Sequence, residues 1–277
     1  HVFLAGNAEA EAIITDDRPK LFTYTGSPQV GWEHKAKARK KKVILALGGN
    51  AATVVEETAD LDHAARRLAI GSFLYAGQIC ISTQRIFVQE SVYTAFKEKF
   101  LAEVQQLGVG DPLDEEVRVG PVIAPVHLER ISEWVEEAKA AGAEVLLGGE
   151  ILDVTANVYA PTVLAGVPKG LKIVDQEAFG PEVVVETFGD FAEAVRQVND
   201  SDFGLQAGVF TNRVDCMQLA HEEIEVAGLI INDVPGFRVD GMPYGGVKES
   251  GLGREGIVYA MEDYTEPRLI VIPKQQF

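Results

Sequence analysis

Short apolar runs of strand character alternate with longer segments of helical spacing along nearly the whole 277-residue chain. That alternation constrains the fold more than any other feature. Strand-like runs stand at 2–4, 21–24, 43–45, 52–55, 85–88, 144–147, 158–164, 183–188, 207–210 and 228–231. Between them, apolar residues recurring every three or four positions predict helices at 8–14, 29–40, 92–107, 127–141, 191–199 and 215–223, and one from 61 to a stop at Gly77. Strands that alternate with helices imply an α/β fold, with mainly parallel sheets flanked by helices. A Gly/Pro-rich run from 235 to 256 reads as one long loop of the kind that carries function. The apolar run 268–272 would be an exposed edge by itself, so it is expected to pair with another chain.

Composition narrows the class. A hydrophobic content of 47% with 24% charged residues is ordinary for a soluble globular protein. No stretch approaches the roughly 20 apolar residues that cross a bilayer, and the first residues lack the basic region and cleavage pattern of a signal peptide. The formal net charge of −17 would repel a polyanion, so neither nucleic acid nor membrane is expected as a partner. The basic run 35–42 is a local exception that reads as a solvated helix end, where cations also complement the helix dipole. Cys80 and Cys216 lie far apart, and His1, His34, His63, His127 and His221 share no ligand spacing. Neither a disulfide nor a metal site is indicated, and a reducing cytoplasm is the expected setting.

Cys80 stands in the run Gly77-Gln78-Ile79-Cys80-Ile81-Ser82-Thr83-Gln84-Arg85. The preceding helix carries its apolar stripe on Leu61, Ala64, Ala65, Leu68, Ala69, Ser72, Phe73, Tyr75 and Ala76, and Gly77 suits a left-handed stop. A free cysteine is usually a buried, inert side chain. This one falls just past a helix end, on a tight loop leading into a strand, where a thiol can reach a cleft.

Other motifs surround it in a fixed order. Leu45-Ala46-Leu47-Gly48-Gly49-Asn50 lies upstream. Glu177-Ala178-Phe179-Gly180-Pro181, Pro243-Tyr244-Gly245-Gly246-Val247-Lys248-Glu249-Ser250-Gly251 and Gly253-Arg254-Glu255 follow. Softer matches include 22–27, 110–113, 120–121, 159–164 and 203–205. In this order and spacing the chain resembles the NAD(P)-dependent aldehyde dehydrogenase superfamily, and within it the lactaldehyde and non-phosphorylating glyceraldehyde-phosphate branch. The resemblance covers nearly all of the sequence.

The resemblance implies oxidation of a small-molecule aldehyde to a carboxylic acid with NAD or NADP. Cys80 aligns with the nucleophile, which forms a thiohemiacetal and then a thioester, and its backbone N–H would help to hold the oxyanion. Glu177 aligns with the glutamate that holds the nicotinamide ribose, and Phe179 would pack near the nicotinamide ring. Gly26 and Ser27 would face the pyrophosphate at a helix N-terminus, and Leu47 would also lie against the cofactor. Gly245 and Gly246 turn the backbone tightly, and Lys248 and Arg254 read as structural. The resemblance divides the chain into the end of a Rossmann-like dinucleotide-binding domain (1–76), a catalytic thiol domain (77–250), and a return segment with a terminal oligomerisation strand (251–277). The protein would be a homo-oligomer, a dimer or a tetramer.

Two departures limit what carries over. The family's general base is the glutamate of a Glu-Leu-Gly-Gly run, and that position here is Ala46. A methyl group takes no proton, so thioester hydrolysis should be severely slowed. An engineered knockout that traps the acyl-enzyme, a natural member passing its acyl group to another acceptor such as CoA, and an inactive paralogue are all compatible. A non-catalytic, oligomer-forming domain is a further alternative. The chain is also about half the length usual for the family. It therefore reads as the C-terminal part of a longer protein that would bind NAD(P) poorly by itself.

Overall fold

The computed structural model describes residues 2–274; His1 and the last three residues of the return segment lie outside them. In chain order the elements that matter here are α1 (Asn7–Thr15), β1 (Leu21–Thr25), α2 (Pro28–Lys37), β2 (Lys42–Ala46), β3 (Ala51–Val55), α3 (Leu61–Phe73), β4 (Thr83–Gln89) and α4 (Tyr93–Gln105). There follow α5 (Pro125–Ala140), β5 (Glu144–Leu147), β6 (Thr162–Ala165), β7 (Glu182–Phe188), α6 (Phe191–Asn199), β8 (Gln206–Phe210), α7 (Val214–Glu223), β9 (Gly228–Ile231), β10 (Gly251–Leu252) and α8 (Ile257–Tyr264).

Two sheets organise the chain. The larger has seven strands in the order β9-β8-β3-β4-β7-β6-β5, parallel throughout except for the antiparallel β6–β5 pair at one edge. The smaller has the order β1-β2-β10, with β1 and β2 parallel and β10 antiparallel to β2. β3 and β8 are buried along their whole length, as strands covered on both faces must be. The side chains of β3 and its neighbour β4 sort by the period of two. Val55, Ile86 and Val88 join a core built with α3, α4 and α5, whereas Ala52, Val54 and Phe87 join one built with α6 and α7.

The α/β class and most elements match the sequence expectation, and the exceptions have local causes. α3 starts at a true cap, with the Asp60 carboxylate accepting from the His63 N–H at 3.0 Å. It stops at Phe73 rather than at Gly77, because Tyr75, Ala76 and Gly77 all take left-handed backbone. The helix predicted to reach 40 ends at Lys37, before left-handed Arg39. The run 158–164 is broken at Ala160-Pro161 into two short strands. Residues 2–4 form no strand. The run 268–272 also forms none within this chain, and Leu269 to Ile272 are at least 70% exposed. α8 had no clear periodic signal and begins at Gly256, whose φ is +110°.

β3 and α3, which precede position 77, belong to the large sheet and its core together with β4, which follows it. The chain passes between sheets at 47–50 and returns at β10. Among the described residues, no helix is long and apolar enough to cross a membrane.

Glu182, the first residue of β7, is sealed in the core opposite Thr162, and neither carboxylate oxygen meets a hydrogen-bond donor among the described residues. Burial pushes its carboxyl up to about 7, which Arg130 only partly offsets. The ordinary value is 4.5, so the folded chain holds a proton between those values that the unfolded chain has released. Stability should therefore fall as pH rises from about 4.5 through about 7, by on the order of 2–3 kcal/mol, and level off above. Chemical denaturation at pH 5 and pH 8 should show this loss in the parent chain and little of it in Glu182→Gln.

Candidate active site

The Cys80 loop is set by backbone crowding. Gly77 takes φ +68°, and a side chain there would run into the Gly180 carbonyl, so the left-handed turn after α3 packs directly on the Phe179-Gly180-Pro181 turn. The Ile79 N–H then donates to Gly77 O at 2.9 Å, and the Ser82 hydroxyl donates to Ser72 O at 3.1 Å. Gln78 ties the loop sideways, donating to Pro121 O at 3.2 Å and accepting from the Ile123 N–H at 2.9 Å.

Cys80 is half-buried in a small apolar cluster with Ile79, Ile81, Leu205 and Tyr244. Its Sγ lies 2.9 Å from the Tyr244 hydroxyl. Burial pushes the thiol up, the Tyr244 hydrogen bond opposes this, and the negative charge of Glu177 adds to the rise.

Glu177 reaches the same place from the other side. Its Oε1 accepts from the Gly49 N–H at 2.9 Å. A methyl group on Gly48 would overlap the Glu177 carboxylate, and one on Gly49 would overlap the Cys80 carbonyl. The two glycines are thus the spacer between carboxylate and thiol loop. Burial pushes the Glu177 carboxyl up, and the Gly49 N–H and Arg130 oppose it. Phe179 next to it is exposed and takes φ +49°, a conformation an aromatic residue holds only when its surroundings enforce it.

Three buried polar residues hold this loop. The Asn50 amide donates to Val174 O at 2.7 Å and Gln176 O at 3.1 Å. Gln84 donates to Ile173 O at 3.1 Å and Gln176 O at 2.7 Å, and accepts from the Ala178 N–H at 2.9 Å. Arg85 is wholly buried and donates to the carbonyls of Asn50, Gln197 and Val198. Burial lowers its guanidinium to about 10, still charged at neutral pH.

The remaining sequence candidates gather at the C-terminal ends of β1 and β2. The Gly26 N–H donates to Ala46 O at 3.1 Å. Ser27 precedes α2 and is exposed, with its hydroxyl unused in capping. Leu47 is buried beneath Gly31 of α2, and its N–H donates to Ser250 O at 3.0 Å. Ala46 is buried and carries no ionisable group to the site. Among the described residues no group of three His, Cys, Asp or Glu could hold a metal ion.

Sequence reasoning assigned no role to Tyr244, Asn50, Gln84 or Arg85, although each lies in a quoted motif. For Gln84 and Arg85 the available signal was a polar residue inside an otherwise apolar strand, and for Asn50 one just before such a strand, since such groups stay buried only when hydrogen-bonded.

The structure thus defines a parallel α/β chain that presents one thiol beside a diglycine turn and an inward carboxylate. Residues 2–270 match the profile described as "Aldehyde dehydrogenase family", and the chain belongs to that family. A 3-sulfolactaldehyde dehydrogenase of Priestia aryabhattai is 47% identical over 262 residues, covering 95% of this chain and 54% of the relative. Aldehyde dehydrogenase 21 of Physcomitrella patens, solved with the reaction product succinate, superposes with a TM-score of 0.90 at 42% identity, over 93% of this chain and 53% of that one. Glyceraldehyde-3-phosphate dehydrogenase GapN of Methanocaldococcus jannaschii, complexed with NADP, gives 0.88 at 39% identity, over 92% and 55%. Together with lactaldehyde dehydrogenases among the relatives, they support the branch indicated by the motifs. The chain spans about half the length of the curated relatives it matches.

Replacing Gln84 by Leu should leave the buried Ala178 N–H and the Ile173 carbonyl unpaired and remove one of the two donors to Gln176 O, at a cost of about 1–3 kcal/mol. Denaturant unfolding reads the loss, and hydrogen exchange should show faster opening confined to the segment around 174–178.

Proposed function

We propose that this chain carries the thiol-bearing part of an NAD(P)-dependent aldehyde dehydrogenase, with Cys80 as the nucleophile. The observation that carries the reading is the convergence of Gly48-Gly49, Cys80 and Glu177, three motifs far apart in sequence, on one point. The Cys80 thiolate adds to the aldehyde carbon, and the carbonyl π pair moves to oxygen, which the Cys80 N–H helps to hold. A nicotinamide, when bound, supplies the acceptor for the hydride that leaves this carbon as the thioester forms. Glu177 is the group to hold the cofactor's ribose, Phe179 to border its ring, and Gly26, Ser27 and Leu47 to border the rest of it. On this reading the small-sheet unit is the end of the dinucleotide-binding domain.

Ala46 supports a second reading of the final step. With no carboxylate there to activate water, the thioester is long-lived and available to another acceptor, such as a CoA thiol. The substrate is inferred to be an aldehyde with a second, anionic group. The guanidinium of Arg238 lies 4.0 Å from the ring centroid of Tyr244, whose hydroxyl meets the thiol; two relatives are named for molecules with a sulfonate or a phosphate, and a third was solved with succinate. The exposed apolar run 268–272 is inferred to pair with a second copy of the protein. Light scattering of the chain with and without 268–277 should then show loss of the oligomer.

Intact mass after exposure to p-nitrophenyl acetate tests the chemistry. One stable acyl adduct is expected, absent in Cys80→Ser. An ester whose acyl group bears a carboxylate should react faster than the acetate, and lose that advantage in Arg238→Gln. Ala46→Glu should release the adduct by roughly 10²–10⁴-fold faster hydrolysis. No adduct at Cys80 with either ester would count against the nucleophile and favour a scaffold role.

A further inference from the structure

Tyr244 is 5% exposed and closes the apolar cluster around the thiol. A buried tyrosine ordinarily sends its hydroxyl to a polar partner, and this one meets the Cys80 sulfur at 2.9 Å. Its position is fixed twice over. An isolated antiparallel bridge to Glu255 holds its backbone, with the Tyr244 N–H donating to Glu255 O at 3.1 Å and the Glu255 N–H returning to Tyr244 O at 2.5 Å. Arg238 covers the ring face, and its guanidinium is itself paired with the Glu255 carboxylate at 3.3 Å.

We propose that Tyr244 is a catalytic residue, whose hydroxyl donates a hydrogen bond to the Cys80 sulfur and stabilises the thiolate in a loop otherwise lined by apolar side chains. The proposal rests on the reading of Cys80 as the nucleophile.

The direction of the hydrogen bond follows from chemistry. Burial keeps the phenol protonated well above its usual range, so on ionisation the sulfur loses its proton to solvent while the tyrosine keeps its own. A thiolate only accepts hydrogen bonds, and one from a buried neutral hydroxyl is charge-assisted. The other charges acting on the pair are Glu177 and Glu255, which disfavour the thiolate, and Arg238, which draws electron density from the phenol. Among the described residues no cationic side chain is hydrogen-bonded to the sulfur, and the Tyr244 phenol is. Nothing in the sequence pattern singles out its hydroxyl.

The test is the pH dependence of Cys80 alkylation by iodoacetamide, followed by intact mass and assigned by peptide mapping against buried Cys216. Tyr244→Phe, with folding checked by its thermal melt, should move the midpoint up by about one pH unit and slow alkylation at neutral pH about tenfold. A fluorotyrosine at 244, nearly unchanged in size but a stronger donor, should move the midpoint down; it decides the matter if Tyr244→Phe does not fold. Unchanged midpoints with Cys80 still alkylated would overturn the role of Tyr244 and leave the nucleophile reading standing. Absence of Cys80 alkylation at every pH would overturn both.

Discussion

The Gly48-Gly49 turn lies between the Glu177 carboxylate and the Cys80 carbonyl with no room for a methyl group on either residue. Because the chain crosses there from the small sheet to the large one, this contact sets both the relation of the sheets and the spacing of the reactive groups. The second close approach, Gly77 against the Gly180 carbonyl, fixes the thiol loop to the Phe179 turn in the same way. Backbone-to-backbone packing of this kind transmits position with little slack, since a main-chain atom cannot rotate out of the way as a side chain can.

The sheet order explains why these segments meet. β3, β4 and β7 are neighbours. Gly48-Gly49-Asn50, Cys80 and Glu177 each lie a few residues before the start of one of them. β8, on the other side of β3, is preceded directly by Leu205, which packs against the thiol cluster. Parallel strands begin at the same edge of a sheet, so motifs placed just ahead of successive strands are collected at that edge. Polar residues then lock the assembly. Asn50, Gln84 and Arg85 each satisfy several carbonyls of the surrounding loops, which offsets the desolvation their burial costs.

The chemistry of the site is divided in a way that follows from burial. Burial raises the thiol and so disfavours the thiolate that the proposed mechanism needs. A donor aimed at sulfur would resolve this conflict, and the Tyr244 hydroxyl lies within hydrogen-bond distance of it. Position 46 brings no carboxylate, so on the proposed mechanism formation and release of the thioester are uncoupled.

The order of strands and helices, the α/β class and the thiol on a loop before β4 were legible in the sequence, because periodicity and glycine punctuation are local signals. The stripe of α3 was legible from Ala64 to Phe73, but its end was not: Tyr75, read as part of the stripe, is 69% exposed, and the left-handed turn at 75–77 packs against Gly180, a residue about a hundred positions away. The same distance hid the roles of Asn50, Gln84, Arg85 and Tyr244. Each looks like an ordinary polar or aromatic residue until the fold shows which carbonyl or sulfur it faces. The absence of a carboxylate at position 46 is a property of one residue, and the sequence by itself determined it. Only the tertiary structure decided which groups surround the thiol, because proximity across parallel strands comes from sheet order, and no local pattern encodes that.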